Sequence, residues 1–256
     1  SHNFGDVEAG FREAYHIRED RFHLQAQPHA PLEPHAVLAA ADPQGKLTVW
    51  ASKQSPFRAR SALSRTLELS EGMVRVIRPA LGGGFGGKGE MAPLDFCAAA
   101  LARRTGRPVR IAYTREESLC TTRARHPMMV ELRTGVKKDG TLVAQVCRIL
   151  ADGGAYMSSG AIALYVATSH LNLPYRLPNY RVEGYRIYTN KQPSGAMRGH
   201  GAPQPRFAME CQMDMIAEDL GLDPPELLLR NAIDSGYVAP NGYVVPSAAY
   251  KETLHR

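Results

Sequence analysis

The sequence predicts an α+β fold with mixed β-sheets and helices, arranged in two subdomains. Residues 73–78 alternate apolar and polar side chains like a strand, and residues 90–104 then repeat apolar side chains at helical spacing. Lys138-Asp139-Gly140 lies between two further strand-like runs and is a hairpin signal. Helical connections and tight turns therefore occur in one chain, which is typical of mixed sheets.

The first predicted subdomain, residues 1–118, begins with short strands. Residues 36–40 and 47–51 have the composition of strands, and Asp42-Pro43-Gln44-Gly45 between them is rich in turn residues. A helix is predicted from Pro56 to Leu69, because proline is favoured in the first helical turn.

Residues 73–113 of this subdomain are predicted to form a strand, a loop, a helix and a second strand. Gly106 and Pro108 mark the end of the helix. Such a unit favours a parallel strand pair with a right-handed crossover. The charged residues 114–117 that follow are expected to form a loop.

The second predicted subdomain, residues 119–256, contains further strands and a long helix. Asp223 is expected to cap a following helix, with Glu226 completing a capping box. The predicted strands cover residues 128–133, 142–150 and 180–189, and the long helix covers residues 203–220.

Composition and charge exclude several classes of function. The chain has 256 residues, of which 44% are hydrophobic and 22% charged, as in globular proteins. The net charge is +6, but the basic residues are dispersed, so nucleic-acid binding is not expected. No apolar run has the length of a membrane span. The chain starts at Ser1 with neither a signal peptide nor an initiator Met, so we expect it to be processed or cut from a longer protein.

The cysteines and histidines do not form a metal-ligand pattern. No Cys-x-x-Cys pair occurs, and Cys97 and Cys211 lie in apolar helical patterns where buried thiols are expected. This usage predicts a reducing, cytoplasmic compartment. His29 and His35 are separated by prolines and have no third ligand nearby, so no metal site is predicted there.

Residues 81–89, Leu-Gly-Gly-Gly-Phe-Gly-Gly-Lys-Gly, carry the strongest functional signal of the chain. Glycine lets a ligand approach the backbone closely, and concave runs of N–H groups bind anions. Gly82 to Lys88 also satisfies the P-loop pattern G-x-x-x-x-G-K, but Gly89 replaces the Ser or Thr that holds Mg²⁺. A ligand-binding loop, a P-loop and a simple tight turn are the three alternatives.

A second dense motif, residues 194–204, again leads from a strand through a glycine turn to a helix. Its Arg198 is suited to binding an oxyanion with two parallel hydrogen bonds, or to pairing with a carboxylate elsewhere in the fold. Gln54 lies at the end of a predicted strand. Its amide is either directed at a ligand or caps the turn.

The order of these motifs resembles the molybdenum-binding domain of the xanthine dehydrogenase and aldehyde oxidase family, the molybdenum hydroxylases. In particular, Gly82 to Lys88 is similar to the family's pterin-contacting loop. A P-loop enzyme would account for one motif only. The other matching pieces are residues 32–35, the strand ending at Gln54, and residues 125–127, 138–140, 152–156, 198–204 and 220–231.

The resemblance implies the first half of a molybdopterin-binding domain, whose downstream half, with the catalytic general base, is absent from this chain. The implied cofactor is molybdenum bound by molybdopterin, often as the cytosine dinucleotide in bacteria. The implied reaction hydroxylates an aldehyde, aromatic heterocycle or related small molecule with oxygen from water. The implied partners are the remaining half of the molybdenum subunit and the iron–sulfur and flavin subunits or domains that accept electrons. The chain alone is expected to be inactive.

The resemblance also implies roles for individual residues. Gln54 would donate a hydrogen bond to the oxo ligand of molybdenum, and Arg198 would lie in the active site; these two are the expected catalytic residues. The expected cofactor-binding residues are Gln54, Gly83, Gly84, Phe85, Gly86, Gly87, Arg198, Gly199, His200, Gly201, Ala202 and Gln204.

Three positions depart from particular branches of the family. Purine-oxidising members have Glu where this chain has Gly89, and carbon monoxide dehydrogenases have Cys where it has Gly199, so neither specificity is expected. His200 stands where many members have Phe. The resulting Arg-Gly-His-Gly motif is more similar to aromatic-acid and hydroxybenzoyl-CoA reductase relatives. A non-catalytic subunit that retains the fold is a further alternative, which the presence of Gln54 and Arg198 disfavours.

Overall fold

Helices and strands are interspersed along the chain. The structure is a computed structural model that describes residues 1–239 and 242–256. The strands of this part are β1 His2–Phe4, β2 His16–Leu24, β3 Ala36–Ala41, β4 Leu47–Ala51, β5 Val74–Ile77, β6 Val109–Ala112, β7 Met128–Val136, β8 Leu142–Asp152, β9 Tyr180–Ile187, β10 Tyr237–Val238 and β11 Val244–Val245. Its helices are α1 Val7–Glu13, α2 Pro56–Thr66, α3 Pro93–Thr105, α4 Arg115–Thr121, α5 Gly160–Ser169, α6 Pro203–Leu220, α7 Pro224–Asn231 and α8 Tyr250–His255.

These elements belong to two compact units. Residues 26–125 and 192–198 form the four-stranded unit, and residues 1–25, 126–191 and the described part of 199–256 form the five-stranded unit. The division differs from the one predicted at residues 118/119. Residues 16–24 pair along their whole length with β7, and such a distant pairing leaves no local signal in the sequence.

The four-stranded unit contains a sheet in the order β5-β4-β3-β6. The predicted β3–β4 hairpin is confirmed, and β5 lies parallel to β4. The expected parallel pairing of β5 with β6 is wrong, because the hairpin lies between them and places them at opposite edges of the sheet. The sheet packs against α2 and α3 through an apolar core that includes Val49, Leu63 and Ala98.

The helices of this unit begin and end close to the predicted residues, with one exception. Gly106 ends α3 in the left-handed conformation, with φ of +65°, as the sequence predicts. Residues 114–117, predicted as a loop, instead start α4. Thr114 accepts a hydrogen bond from the Glu117 N–H, and Glu117 caps Thr114 in return. This Thr-x-x-Glu capping box was a readable signal that the prediction missed.

The five-stranded unit contains a sheet in the order β1-β9-β8-β7-β2. The predicted β7–β8 hairpin is confirmed, and β9 lies parallel to β8. Helix α6 has the predicted bounds and buries Met209, Met213 and Ile216 in the core. Asp223 caps α7 by position only: its side chain forms no capping hydrogen bond, so the expected capping box is wrong.

The prediction for two of the thiols is also wrong. Cys97 is exposed and Cys211 is partly exposed, whereas Cys147 on β8 is buried. Cys147 points into the sheet core, and burial raises the pKa of its thiol. Among the described residues, no helix combines the length and apolar character needed to cross a membrane.

Candidate functional site

The glycine-rich loop, residues 82–89, connects β5 to α3 in the four-stranded unit. Gly83 and Gly86 have φ values of +91° and +103°, which side chains other than glycine rarely adopt. Phe85 between them also has a positive φ, +52°, and its ring is 46% exposed. A non-glycine residue in this conformation is strained, so the surrounding contacts must hold it there.

Gln54, which follows β4, is one of these contacts. Its side-chain oxygen Oε1 accepts hydrogen bonds from the backbone N–H groups of Gly86 (3.0 Å) and Lys88 (3.3 Å). The backbone N–H of Gln54 donates to the Lys88 carbonyl (2.9 Å). A Cβ atom at Gly84 would lie 2.6 Å from Oε1, so only glycine leaves room for this amide.

These contacts determine the orientation of the Gln54 amide. Two N–H donors require the oxygen on the loop side, so the other end of the amide must be the NH₂ group. The NH₂ group donates no hydrogen bond within residues 1–239 and 242–256. Gln54 therefore presents a donor with no acceptor in the described protein.

Residues 192–198 cross the glycine-rich loop in the same unit. The Arg198 N–H donates to the Phe85 carbonyl at 2.9 Å, and a Cβ at Gly86 would lie 2.4 Å from the Ala196 carbonyl oxygen. The imidazole Nε2 of His29 lies 2.6 Å from that same oxygen. The two motifs singled out in the sequence thus meet at Gly86, which explains the need for glycine there.

The Arg198 guanidinium is exposed and has no carboxylate partner among the described residues. Its backbone, in contrast, is fixed from two sides: the N–H donates to Phe85, and the carbonyl accepts from Arg125 Nη2 at 2.7 Å. The alternative of a structural ion pair at Arg198 is therefore not supported. The cation is held at the loop and is available to an anionic group.

Lys88, the lysine of the loop, is buried completely. Its ammonium group lies 2.5 Å from Glu33 Oε2, which also accepts from the Gly82 N–H at 3.0 Å. Burial raises the pKa of Glu33, but the Lys88 and Gly82 donors outweigh it, and the pKa is lower than usual. A P-loop lysine must reach phosphate, so this geometry does not support the P-loop interpretation.

A second buried ion pair lies next to Gln54. The Lys53 ammonium is 2.6 Å from Asp95 Oδ2, and both side chains are almost fully buried. Burial lowers the pKa of Lys53, while the Asp95 carboxylate acts in the opposite direction. Asp95 also accepts from the Ala92 N–H at the start of α3, so the pair joins the Gln54 strand to that helix.

Two buried histidines contact the carbonyl groups of these motifs. His35 Nε2 lies 3.2 Å from the Gly87 carbonyl, and His29 Nε2 contacts Ala196 in the same way. Burial lowers the pKa of both rings, that of His35 to about 4. Since a carbonyl can only accept, each neutral ring carries its proton on Nε2. Both histidines therefore position the loops.

The turn at residues 199–204 lies in the five-stranded unit and is strained in a similar way. Gly199, His200 and Gly201 have φ values of +87°, +47° and +102°. A Cβ at Gly201 would lie 2.1 Å from the Ala163 carbonyl oxygen. The side chain of the buried Gln204 donates to the His126 carbonyl, so it is occupied within the protein. A cofactor contact of this turn would thus come from its backbone or from His200.

Comparison with known proteins identifies the family of this chain. The model of the molybdopterin cofactor-binding domain matches residues 1–232. The chain belongs to this family. The large molybdopterin subunit of nicotinate dehydrogenase from Eubacterium barkeri is 38% identical over 254 residues, which are 99% of this chain and 60% of that subunit. A protein from Bacillus subtilis, described as a probable subunit of xanthine dehydrogenase, is 37% identical over 89% of this chain and 30% of its own length.

Solved structures of two enzymes have the same fold. Aldehyde oxidoreductase from Desulfovibrio gigas matches 99% of this chain with a TM-score of 0.92 and 30% identity, and the match covers 28% of that protein. Carbon monoxide dehydrogenase from Oligotropha carboxidovorans matches 99% of this chain with a TM-score of 0.89 and 28% identity, over 33% of its own length. The α+β fold predicted from the sequence is confirmed, and the chain spans only part of these relatives.

The chemistry of the four-stranded unit fits a molybdopterin. Its glycines let the loop pack closely against Gln54 and Ala196, because a Cβ at Gly84 or Gly86 would collide with these residues. The Gln54 NH₂ group and the Arg198 guanidinium provide a neutral and a cationic donor without acceptors in the described protein. A pterin with a phosphate and a metal centre presents oxygen atoms that can accept from a neutral donor and anionic groups that can bind a cation. The segments that carry these two donors are held in place by buried side chains that the prediction did not assign to the site. They are Glu33, Lys53, Lys88, His29 and His35.

Proposed function

We propose that this chain is the cofactor-binding part of a molybdenum hydroxylase that acts on an aldehyde, an aromatic heterocycle or a related small molecule. Bound molybdopterin would supply a metal centre able to transfer oxygen from water and accept two electrons. The observation that carries the proposal is the Gln54 amide, whose oxygen is bound by the glycine-rich loop and whose NH₂ group is left without an acceptor in the described residues.

Gln54 would act as a fixed hydrogen-bond donor toward the metal centre. Its amide cannot rotate without losing the two hydrogen bonds from Gly86 and Lys88. A donor held in place before the reaction stabilises developing negative charge without reorganisation, which is a large term in many enzymes. The assignment of Gln54 as a catalytic residue rests on this preorganisation.

Arg198 would bind an anionic group of the cofactor or stabilise negative charge on the substrate. Its support is the exposed guanidinium, unpaired within the described residues, on a backbone that Phe85 and Arg125 hold. Gly83, Gly84, Gly86 and Gly87 would let the loop pack into the shape in which its backbone faces the cofactor, and the exposed Phe85 ring would provide an apolar surface beside it.

The turn in the five-stranded unit is a second proposed cofactor contact. Its support is the left-handed backbone at Gly199 to Gly201, because turn conformations of this kind can direct successive N–H groups at an anion. The proline residues at 203 and 205 remove two N–H donors from the first turn of α6. Contacts from Gly199, His200, Ala202 and the Gln204 backbone are therefore favoured over a phosphate site at the helix terminus.

The finer assignments are proposals that membership of the family supports. A nitrogen heterocycle is a proposed substrate class, supported by the 38% identical relative that is named for nicotinate. We also propose the cytosine dinucleotide form of the cofactor, electron transfer to iron–sulfur and flavin partners, and a second half of the subunit that supplies the general base. A cytoplasmic location rests on the cysteine pattern of the sequence alone.

The proposal is tested by metal and pterin analysis of the complete assembly. The assembly is isolated from its natural host by affinity purification with this chain as bait. We expect one molybdenum and one released pterin nucleotide per chain, together with iron in the partners. An assembly that catalyses turnover without molybdenum would refute the proposed function. An assembly with molybdenum but full activity after Arg198→Ala would refute the site assignment only.

A further inference from the structure

We propose that Glu33 and Lys88 form a buried tether that holds the glycine-rich loop in its cofactor-accepting shape, and that Lys88 is a positioning residue without contact to the cofactor. This inference rests on the proposed function, because it concerns the same site. It assigns the loop lysine a role other than the phosphate contact of a P-loop, and it assigns a role to Glu33 in the 32–35 segment, for which the sequence indicated none.

A single carboxylate oxygen joins the two ends of the loop. Glu33 Oε2 accepts hydrogen bonds from the Gly82 N–H at 3.0 Å and from Lys88 Nζ at 2.5 Å, and Ser52 Oγ adds a third at 3.1 Å. The Glu33 N–H donates in turn to the Gly82 carbonyl at 3.1 Å. The first glycine and the lysine of the loop are therefore fixed to one side chain.

The packing around this side chain requires glycine at the start of the loop. A Cβ at Gly82 would lie 2.5 Å from the Glu33 Cβ. The loop backbone thus lies directly on Glu33. Gly82 serves the tether, whereas Gly84 and Gly86 make room for Gln54 and for residues 192–198.

Burial makes the two charges depend on each other. Lys88 has no exposed surface, and a buried ammonium without a partner is strongly disfavoured. Its partner is the Glu33 carboxylate, which is partly exposed and keeps a lowered pKa. An ammonium that is fully enclosed in this way cannot also neutralise a phosphate.

The tether acts on the proposed catalytic amide through the backbone of Lys88. The Lys88 N–H donates to Gln54 Oε1, and the Lys88 carbonyl accepts from the Gln54 N–H. A shift of Lys88 would therefore displace both ends of the Gln54 contact. Glu33 influences the site only through these intermediates, so it too is a positioning residue.

The test uses the complete assembly with Glu33→Gln, Lys88→Met or both substitutions. Hydrogen–deuterium exchange of the peptide covering residues 81–91 is measured in the cofactor-free form, and molybdenum content in the loaded form. We expect exchange about tenfold faster in each single variant, as for the loss of one charge-assisted hydrogen bond, with molybdenum content reduced.

The double variant distinguishes a tether from a ligand contact. It removes the buried ammonium together with its carboxylate partner, and the amide at position 33 still accepts from Gly82, so its exchange should be slower than that of Glu33→Gln alone, which leaves the buried Lys88 without a carboxylate. If Lys88 contacted the cofactor, Lys88→Met would lower molybdenum content without faster exchange, and Glu33→Gln would have no effect. That result would overturn the proposal.

Two further variants separate the tether from general loss of stability. Glu71→Gln removes an exposed carboxylate that pairs with Arg60 in the same unit, and it should leave exchange of residues 81–91 unchanged. Ser52→Ala removes only one neutral hydrogen bond to Glu33, so exchange should increase by a smaller factor in a folded protein. Equal exchange in Ser52→Ala and wild type would contradict the tether if the single charge variants do not fold. Absence of molybdenum from the wild type would refute the proposed function, while the exchange data would still test the tether.

Discussion

The Gln54 amide combines a structural and a catalytic task that two substitutions can separate. Gln54→Leu removes both the acceptor and the donor. Gln54→Glu keeps an oxygen that accepts from the N–H groups of Gly86 and Lys88, but it removes the NH₂ donor. If Gln54 has the proposed roles, Gln54→Leu loses the contact with the loop and, with it, the cofactor, whereas Gln54→Glu loses turnover.

The magnitudes follow from the contacts. The loop donates two hydrogen bonds to Gln54 Oε1, at 3.0 Å and 3.3 Å, and each contributes about 1 kcal/mol net. Gln54→Leu should therefore weaken cofactor retention by about 2 kcal/mol, or roughly 30-fold. Loss of one preorganised donor at a reacting centre lowers kcat by about 10²-fold or more, so Gln54→Glu should lose that much turnover.

Both variants are measured in the complete assembly, with molybdenum content and turnover with an artificial electron acceptor determined on the same samples. We expect Gln54→Glu to retain most of its molybdenum and Gln54→Leu to lose most of it. Wild-type turnover per molybdenum in Gln54→Glu would refute the donor role. Full molybdenum content in Gln54→Leu would refute the loop contact.

Three further outcomes follow from the geometry. Gly86→Ala should abolish molybdenum binding, because its Cβ would lie 2.4 Å from a carbonyl oxygen at a positive φ, whereas Gly72→Ala, which meets no atom within 4 Å, should not change it. Arg198→Lys keeps the charge but loses the bidentate donor, so KM should rise or cofactor retention should fall by at least about tenfold. Wild-type values of both would contradict the role of Arg198. Burial depresses the folded-state pKa of His35 from 6.5 to about 4, so the unfolded state binds more protons and stability should fall as the pH decreases from about 6.5 to about 4. His35→Gln should flatten this part of a pH-dependent unfolding curve, and an unchanged slope would exclude His35 as its source.

Much of the local structure could be predicted from the sequence. Hairpins, the helix at 203–220 and the cap at Gly106 depend on residues close together in the chain, and their patterns are strong. The family could be recognised from the order of motifs, and the match over residues 1–232 confirms it. The individual roles of Gln54, Arg198 and the glycines stay predictions.

The long-range arrangement could not be predicted in this way. The position of β5 and β6 at opposite edges depends on a hairpin that precedes both in sequence, and periodicity does not record which strand lies between them. The grouping of residues 1–25 with residues after 126 depends on the pairing of β2 with β7.

The loop lysine shows why a motif alone does not determine chemistry. The pattern from Gly82 to Lys88 is the same for a lysine that reaches phosphate and for one that points into the protein. The two cases differ in a residue outside the motif: Glu33, 55 positions away, supplies the carboxylate that Lys88 requires when buried. The glycines then have separate reasons, since Gly82 lies on Glu33, Gly84 on Gln54 and Gly86 on residue 196. A loop whose glycines each meet a different protein group is shaped by its own contacts before any ligand binds, and this favours a preorganised cofactor cradle over a loop that closes around phosphate.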